Sequence, residues 1–152
     1  MTIENILKLS EATTLPTKVV INIGYTTSML EESVASILKV HDISLPQYNV
    51  LRILKGQKGK PASLASIHER MVDTNSNTSR LVDKLIVKNF VKRRICPTNR
   101  RKVEIEITTT GLELLKTVDP LTEEANKNNL SNLSKEECIL LNDLLNKIRT
   151  NE

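Results

Sequence analysis

The apolar residues change their spacing partway along this chain, and that change most narrows the folds open to it. Leu81, Val82, Leu85 and Ile86 recur at helical intervals. Further on, Val103, Ile105 and Ile107 alternate with Glu104 and Glu106, the pattern of a strand with one face turned inward. Ahead of the helical run, Ser63 can cap a short helix carrying Leu64, Ile67 and Met71. A partner strand is expected over Phe90–Ile95. The tip Pro97-Thr98-Asn99-Arg100-Arg101-Lys102 joins the two strands, with Pro and Asn where a turn wants them. Two short helices with a brief connection, then a β-ribbon, outline a mainly α fold: a winged helix-turn-helix with a two-stranded wing.

The rest of the chain reads as helix. Ile3–Leu9 is a short amphipathic run that Thr13-Thr14-Leu15-Pro16 interrupts, and a long helix is expected from Thr17 to Val40, with Val20, Ile23, Ile37 and Leu38 among its apolar positions. Ser44-Leu45-Pro46-Gln47 combines a capping box with Pro in the first turn, and Gly56 is the expected stop. Gln57–Pro61 reads as a loop. Asp73 and Thr74 are expected to begin the second helix of the pair, and Asn89 to end it in the left-handed region. A further helix opens at Thr108-Thr109-Thr110-Gly111, with a kink or break expected at Pro120. Ser134-Lys135-Glu136-Glu137 starts the last one, striped by Leu140, Leu141, Leu144, Leu145 and Ile148. With 152 residues and only Tyr25, Tyr48 and Phe90 as aromatics, one aliphatic core is expected. Four Gly and five Pro disfavour an all-β fold.

Charge gives the ribbon a purpose. The chain is +4 overall, yet nine basic residues stand against three acidic ones between Thr74 and Thr108, so that segment is +6 and the remainder −2. Clustered positive charge marks a polyanion binder. Thr74-Asn75-Ser76-Asn77-Thr78-Ser79 are poor helix formers placed at the expected start of a helix. Asn pairs with adenine, Ser and Thr with bases or phosphates, and the Arg80 that follows is suited to guanine. Capping and solubility are the bland reading of the same residues. Arg100, Arg101 and Lys102 at the tip suit the neighbouring backbone or minor groove, and a solvated loop is the bland alternative. DNA binding is the first expectation. No Ser-His-Asp arrangement, Gly-rich phosphate loop or metal cluster points to an enzyme or a cofactor. His41 and His68 stand apart from any paired ligands. Cys96 and Cys138 make neither a metal spacing nor a disulfide framework. With no secretory signal and no long apolar run, a cytosolic protein without membrane contact is expected.

Residues Ser44 to about Lys116 resemble the multiple-antibiotic-resistance regulator (MarR) family of bacterial transcription factors. The likeness is carried by Arg80-Leu81-Val82-Asp83-Lys84-Leu85, then Phe90-Val91-Lys92-Arg93, then Pro97-Thr98-Asn99-Arg100-Arg101, then Ile107-Thr108-Thr109-Thr110-Gly111. It implies one domain over 1–152, with a DNA-binding core at 44–116 and helical dimerisation regions at 1–43 and 117–152. It further implies a homodimer on a palindromic operator in double-stranded DNA, with a repressor's role relieved by a small-molecule effector or by oxidation. By position, Ser76, Asn77, Ser79 and Arg80 would face the major groove, supported by Thr74, Asn75 and Lys84. Arg93, Arg100, Arg101 and Lys102 would serve the wing. The resemblance departs at Asn99, where the family has an Asp to pair with the position of Arg93, and at Asn89, where it has Gly. Cys96, flanked by arginines, is the candidate redox residue. The alternative reading is a winged-helix module that binds protein or RNA without recognising an operator.

Overall fold

A computed structural model describes residues 1–150. In chain order the elements are α1 (Ile3–Leu7), α2 (Leu15–Val40), α3 (Leu45–Gly56), α4 (Leu64–His68), α5 (Thr78–Val87), β1 (Val91–Cys96), β2 (Asn99–Ile107), α6 (Thr109–Asn129) and α7 (Lys135–Arg149). The fold is the winged helix-turn-helix expected from the spacing, with a two-stranded antiparallel sheet as its wing. No helix among the described residues is long and apolar enough to cross a membrane.

Local chemistry sets most of the boundaries. Ser44 and Gln47 form the full capping box at the head of α3, and Ser134 and Glu137 repeat it at α7. Asn89 stands at φ 60, the left-handed turn that ends α5. Three expectations are corrected. Gly56 is the last residue of α3 rather than its left-handed stop; Lys58 (φ 53) and Gly59 (φ 83) make that turn instead. Pro120 does not break α6, which runs on to Asn129. The long helix begins at Leu15, two residues earlier than expected, because Pro16 fits its first turn.

The core lies where α3, α5, the wing and α6 converge. Leu38, Val50, Leu51, Ile67, Val82, Leu85, Ile105, Leu115 and Val118 are fully enclosed. Burying such a side chain is worth about 1.5–3 kcal/mol. The helical and alternating patterns of the sequence therefore meet in one place: Val82 and Leu85 from α5 and Ile105 from β2 belong to the same cluster. Of the three alternating strand residues, Ile105 is buried, Ile107 half-buried and Val103 exposed, so the inward face ends before the tip.

Two polar devices tie α6 down. Thr108 caps α6 by accepting the Gly111 N–H, and its own hydroxyl donates to the Asn89 carbonyl at 2.7 Å. The helix start thus presses on the end of α5, and a methyl group at Gly111 would collide with the Phe90 carbonyl oxygen and Ile107 Cγ1. Farther along, the buried Tyr48 donates to Asp119 Oδ1 at 2.8 Å, while Lys55 donates to Oδ2 at 2.7 Å and Arg52 lies 3.5 Å away. Burial by itself would push the Asp119 carboxyl up. The hydrogen bonds from Lys55 and Tyr48, with the charges of Arg52 and Lys55, outweigh it and hold the group below the usual carboxylate range.

Two outcomes follow. Gly111→Ala should lower stability by about 1–3 kcal/mol in urea titration, because backbone rather than a mobile side chain opposes the added carbon. Asp119→Asn should cost about 1–3 kcal/mol at pH 7. A depressed native pKa contributes stability above the unfolded value of about 4 and loses it as pH falls through the native value. The gap between variant and parent should therefore close below about pH 4 in the same titration.

Candidate nucleic-acid interface

The second helix of the pair starts later than the sequence suggests. Thr74 and Asn75 lie in a turn, Ser76 and Asn77 complete the lead-in, and α5 begins at Thr78. The reason is competition for backbone groups: Asp73 Oδ1 accepts the Asn75 N–H at 2.9 Å, and the Asp73 carbonyl accepts the Ser76 N–H. Asn77 then caps α5 by accepting the Arg80 N–H at 3.0 Å. Of the six polar residues expected in the first turns, only Thr78 and Ser79 are helical. Thr78 is buried, and its hydroxyl lies 2.9 Å from His68 Nδ1, which locks α4 to α5. Asn49 Oδ1 accepts the Val72 N–H and holds the intervening turn against α3. The lock is built by side chains far apart in sequence, with no local pattern to announce it.

Thr74, Asn75, Asn77, Ser79, Arg80 and Lys84 are exposed. Ser76 is a correction. Its hydroxyl is shut off from solvent and finds no hydrogen-bond partner, because the turn directs it inward, so it presents nothing to a base.

The wing is also reshaped. Only Pro97 and Thr98 lie outside the strands, not the six residues Pro97–Lys102 expected as a tip; β1 starts at Val91 rather than Phe90, and β2 starts at Asn99. The pairing explains this. Ile95 faces Val103 while Cys96 faces Asn99, so Arg100, Arg101 and Lys102 bulge from β2 without partners on β1. A bulge re-aims side chains, and here it gathers three cations at the end of the ribbon. Asn99 Oδ1 accepts the Arg101 N–H at 3.1 Å and stiffens that bulge. The base of the wing is anchored by Ala62, whose N–H and C=O exchange hydrogen bonds with Ile105 at 2.9 and 2.8 Å.

Electrostatics divides the nine basic residues of this region into two groups. Lys88, Lys92, Arg93 and Arg94 are paired with carboxylates: Lys88 with Asp42, Lys92 with Glu106 at 3.1 Å, Arg93 with Asp83 at 2.8 Å, and Arg94 with Glu104 at 2.8 Å and Glu106 at 3.2 Å. The hydrogen bond from Arg94 leads in holding the Glu104 carboxyl below its ordinary range, and its counterpart raises Arg94. Arg93, expected to serve the wing's DNA contacts, instead reaches back to α5 through Asp83. Arg80, Lys84, Arg100, Arg101 and Lys102 have no ion-pair partner among the described residues and are all exposed. Cys96 is buried at the end of β1, with its thiol 3.3 Å from Thr98 Oγ1. No group of three or more potential metal ligands occurs among the described residues.

Comparison with known proteins agrees with this geometry. The MarR family model matches residues 43–103, from just before α3 to the outer arm of the wing. MarR family members are transcription regulators. The chain is similar to the HTH-type transcriptional regulator MhqR of Bacillus subtilis, with 27% identity over 111 residues that cover 73% of this chain and 75% of the relative. Among solved structures it resembles a MarR-like transcription regulator of Bacillus cereus, with a TM-score of 0.77 and 26% identity over 87% of this chain and 94% of the other. A cysteine-to-serine mutant of MarR of Escherichia coli, solved in complex with operator DNA, shares the fold with a TM-score of 0.76 and 20% identity over 99% of this chain and 100% of that one.

Because the Ser76 hydroxyl is enclosed and unpaired, Ser76→Ala should leave DNA affinity unchanged and keep or raise stability by about 1 kcal/mol. Fluorescence anisotropy with a bound fragment and thermal unfolding check the two halves.

Proposed function

We propose that the chain is a homodimeric, sequence-specific transcriptional repressor of a bacterial cytoplasm, bound to a palindromic operator and relieved by a small-molecule effector. One observation carries the DNA reading. Among nine basic residues, the five without carboxylate partners are Arg80 and Lys84 on α5 and Arg100, Arg101 and Lys102 on the wing bulge. Charges left unpaired on two adjoining elements suit a duplex, with α5 in the major groove and the bulge on the neighbouring backbone or minor groove. In this reading Asn77, Ser79 and Arg80 address base edges, while Thr74, Asn75, Lys84 and the bulge grip phosphates. Arg93 acts indirectly by holding the wing to α5.

Dimerisation is supported by the apolar faces this chain leaves open. α7 contains no buried residue, although Ile139, Leu140, Leu141, Leu144 and Ile148 lie along it, 43–62% exposed. Leu15, Val19 and Val20 of α2 are also open to solvent. Contiguous apolar surface on this scale marks an interaction site, and a second copy covering α7 and the start of α2 would place two α5 helices on one duplex. Residues 44–116 then form the DNA-binding unit, and 1–43 with 117–152 the dimerisation region.

Selection of bound genomic fragments, followed by titration of the best fragment at several salt concentrations, tests the proposal. Arg80→Ala should reduce discrimination among fragments by about 1–3 kcal/mol. Arg101→Ala should weaken all fragments alike and lower the salt slope by about 1. No change for either variant would overturn the interface. Leu144→Glu should shift the chain to monomer by light scattering and abolish tight binding to the fragment; a dimer unaffected by it would remove α7 from the interface.

A further inference from the structure

Lys88 is one of the nine basic residues between Thr74 and Thr108, but its ammonium is committed outside the wing and α5. It is the residue that caps the C-terminal end of α5. Its Nζ donates to the main-chain carbonyl of Asp42 and lies 3.3 Å from Asp42 Oδ2. Asp42 stands just past the end of α2, after the cap residue His41. The contact therefore joins the end of one helix to the end of another, 46 positions apart in sequence. Among the described residues, no other hydrogen bond or ion pair joins α2 and the turn after it to α5 and the residues that end it.

Both ends are fixed before they meet. Asp42 is left-handed at φ 56, and its N–H donates to the Lys39 carbonyl at 3.1 Å. The next residue, Ile43, is buried and donates its N–H to the Leu38 carbonyl at 3.2 Å, so the Asp42 carbonyl is held between two anchored residues. Lys88 donates its own N–H to the Lys84 carbonyl at 3.2 Å, and the left-handed Asn89 beside it is held by Thr108. Of the two acceptors on Asp42, the main-chain one is the fixed one. The side chain is 93% exposed, and an ion pair with so open a carboxylate adds little stability. α2 gives the contact its reach: it has 26 residues and is about 39 Å long. Its start, at Leu15, Val19 and Val20, is open apolar surface that a second copy would cover, and its far end carries the link to Lys88.

We propose that Lys88 is a positioning residue for operator binding: it fastens the end of α5 to the end of α2 and so sets the separation of the two α5 helices in the dimer. The inference rests on the homodimer reading and names a residue that decides which spacing of half-sites the dimer accepts. Half-sites lie one helical turn or a multiple apart, and one added base pair turns a half-site by about 35° around the duplex. A dimer whose α5 helices are held rigidly loses affinity to that misfit. A dimer with a free joint at Lys88 tolerates it. The free joint also weakens binding at the correct spacing, because the second α5 is presented at a lower effective concentration. A residue that grips phosphate behaves differently. Its removal releases fewer counterions and flattens the salt dependence at every spacing alike.

The test takes the full chain, the best genomic fragment, and the same fragment with one base pair inserted midway between its half-sites. For the parent, the insertion should weaken binding at least roughly tenfold in anisotropy titrations. Lys88→Met keeps an unbranched stem and removes the donor. It should bind the original fragment roughly three- to tenfold more weakly than the parent does, and its penalty for the insertion should shrink by a similar factor. Its salt slope should equal the parent's. Lys88→Arg, which keeps a donor for the Asp42 carbonyl, should retain the parent's preference for the original spacing. A slope lower by about 1 in Lys88→Met makes Lys88 a phosphate contact and overturns the proposal. An arginine variant as tolerant of the insertion as the methionine one overturns it too. A parent indifferent to the insertion sinks the dimer reading and this inference together, whereas a parent and a methionine variant that discriminate equally sink the role of Lys88 alone.

Discussion

The arrangement of α5 and the wing depends on the anchorage of Ile105. Its side chain is fully buried in the cluster that also holds Val82 and Leu85 of α5, and its backbone exchanges two hydrogen bonds with Ala62. One residue therefore attaches the wing to the core by packing and to the segment before α4 by its main chain. Everything the wing carries outward, including the bulge of Arg100, Arg101 and Lys102, is referred to α5 through that point. Gly111 and Thr108 complete the frame by pressing α6 onto the Asn89–Phe90 corner. The flanks of the wing can then be polar, since its position no longer relies on them.

Ion pairing acts as a sorting device on this frame. The carboxylates of Asp83, Glu104 and Glu106 each sit within reach of a particular cation and take Lys92, Arg93 and Arg94 out of play. Exposed pairs of this kind are worth about 0–1 kcal/mol each, so stability is a weak reason for them. Their geometric effect is larger. The Arg93–Asp83 pair connects wing to helix, and the Arg94–Glu104 pair crosses the ribbon. Positive charge is thereby left unneutralised at α5 and at the bulge.

The order of elements was legible from local chemistry alone. Apolar spacing marked the helices and the β2 strand, Ser44 and Ser134 announced their capping boxes, and Asn89 announced a left-handed turn. The charge excess between Thr74 and Thr108 pointed to the right segment. Where the sequence misled, a local preference was outcompeted by another group. Asp73 captured backbone N–H groups and delayed α5 to Thr78. Pro120 was tolerated because α6 is held on both sides of it, at Leu115 and Val118 and again at Thr122, by buried contacts. The strand at Asn99–Lys102 looked like a turn because its pairing is bulged, and a bulge has no periodic signature.

From its amino acids alone the chain determined a winged helix with basic residues on α5 and the wing, because periodicity, caps and turn formers act over a few neighbouring positions. Only the tertiary structure decided which of those residues are available. Ser76 turns inward, Arg93 is spent on Asp83, and His68 becomes a strut for Thr78. Each of these outcomes is settled by a partner or an enclosure made by residues distant in sequence, and hydrogen bonds and ion pairs of that reach form only once the core has brought their elements together.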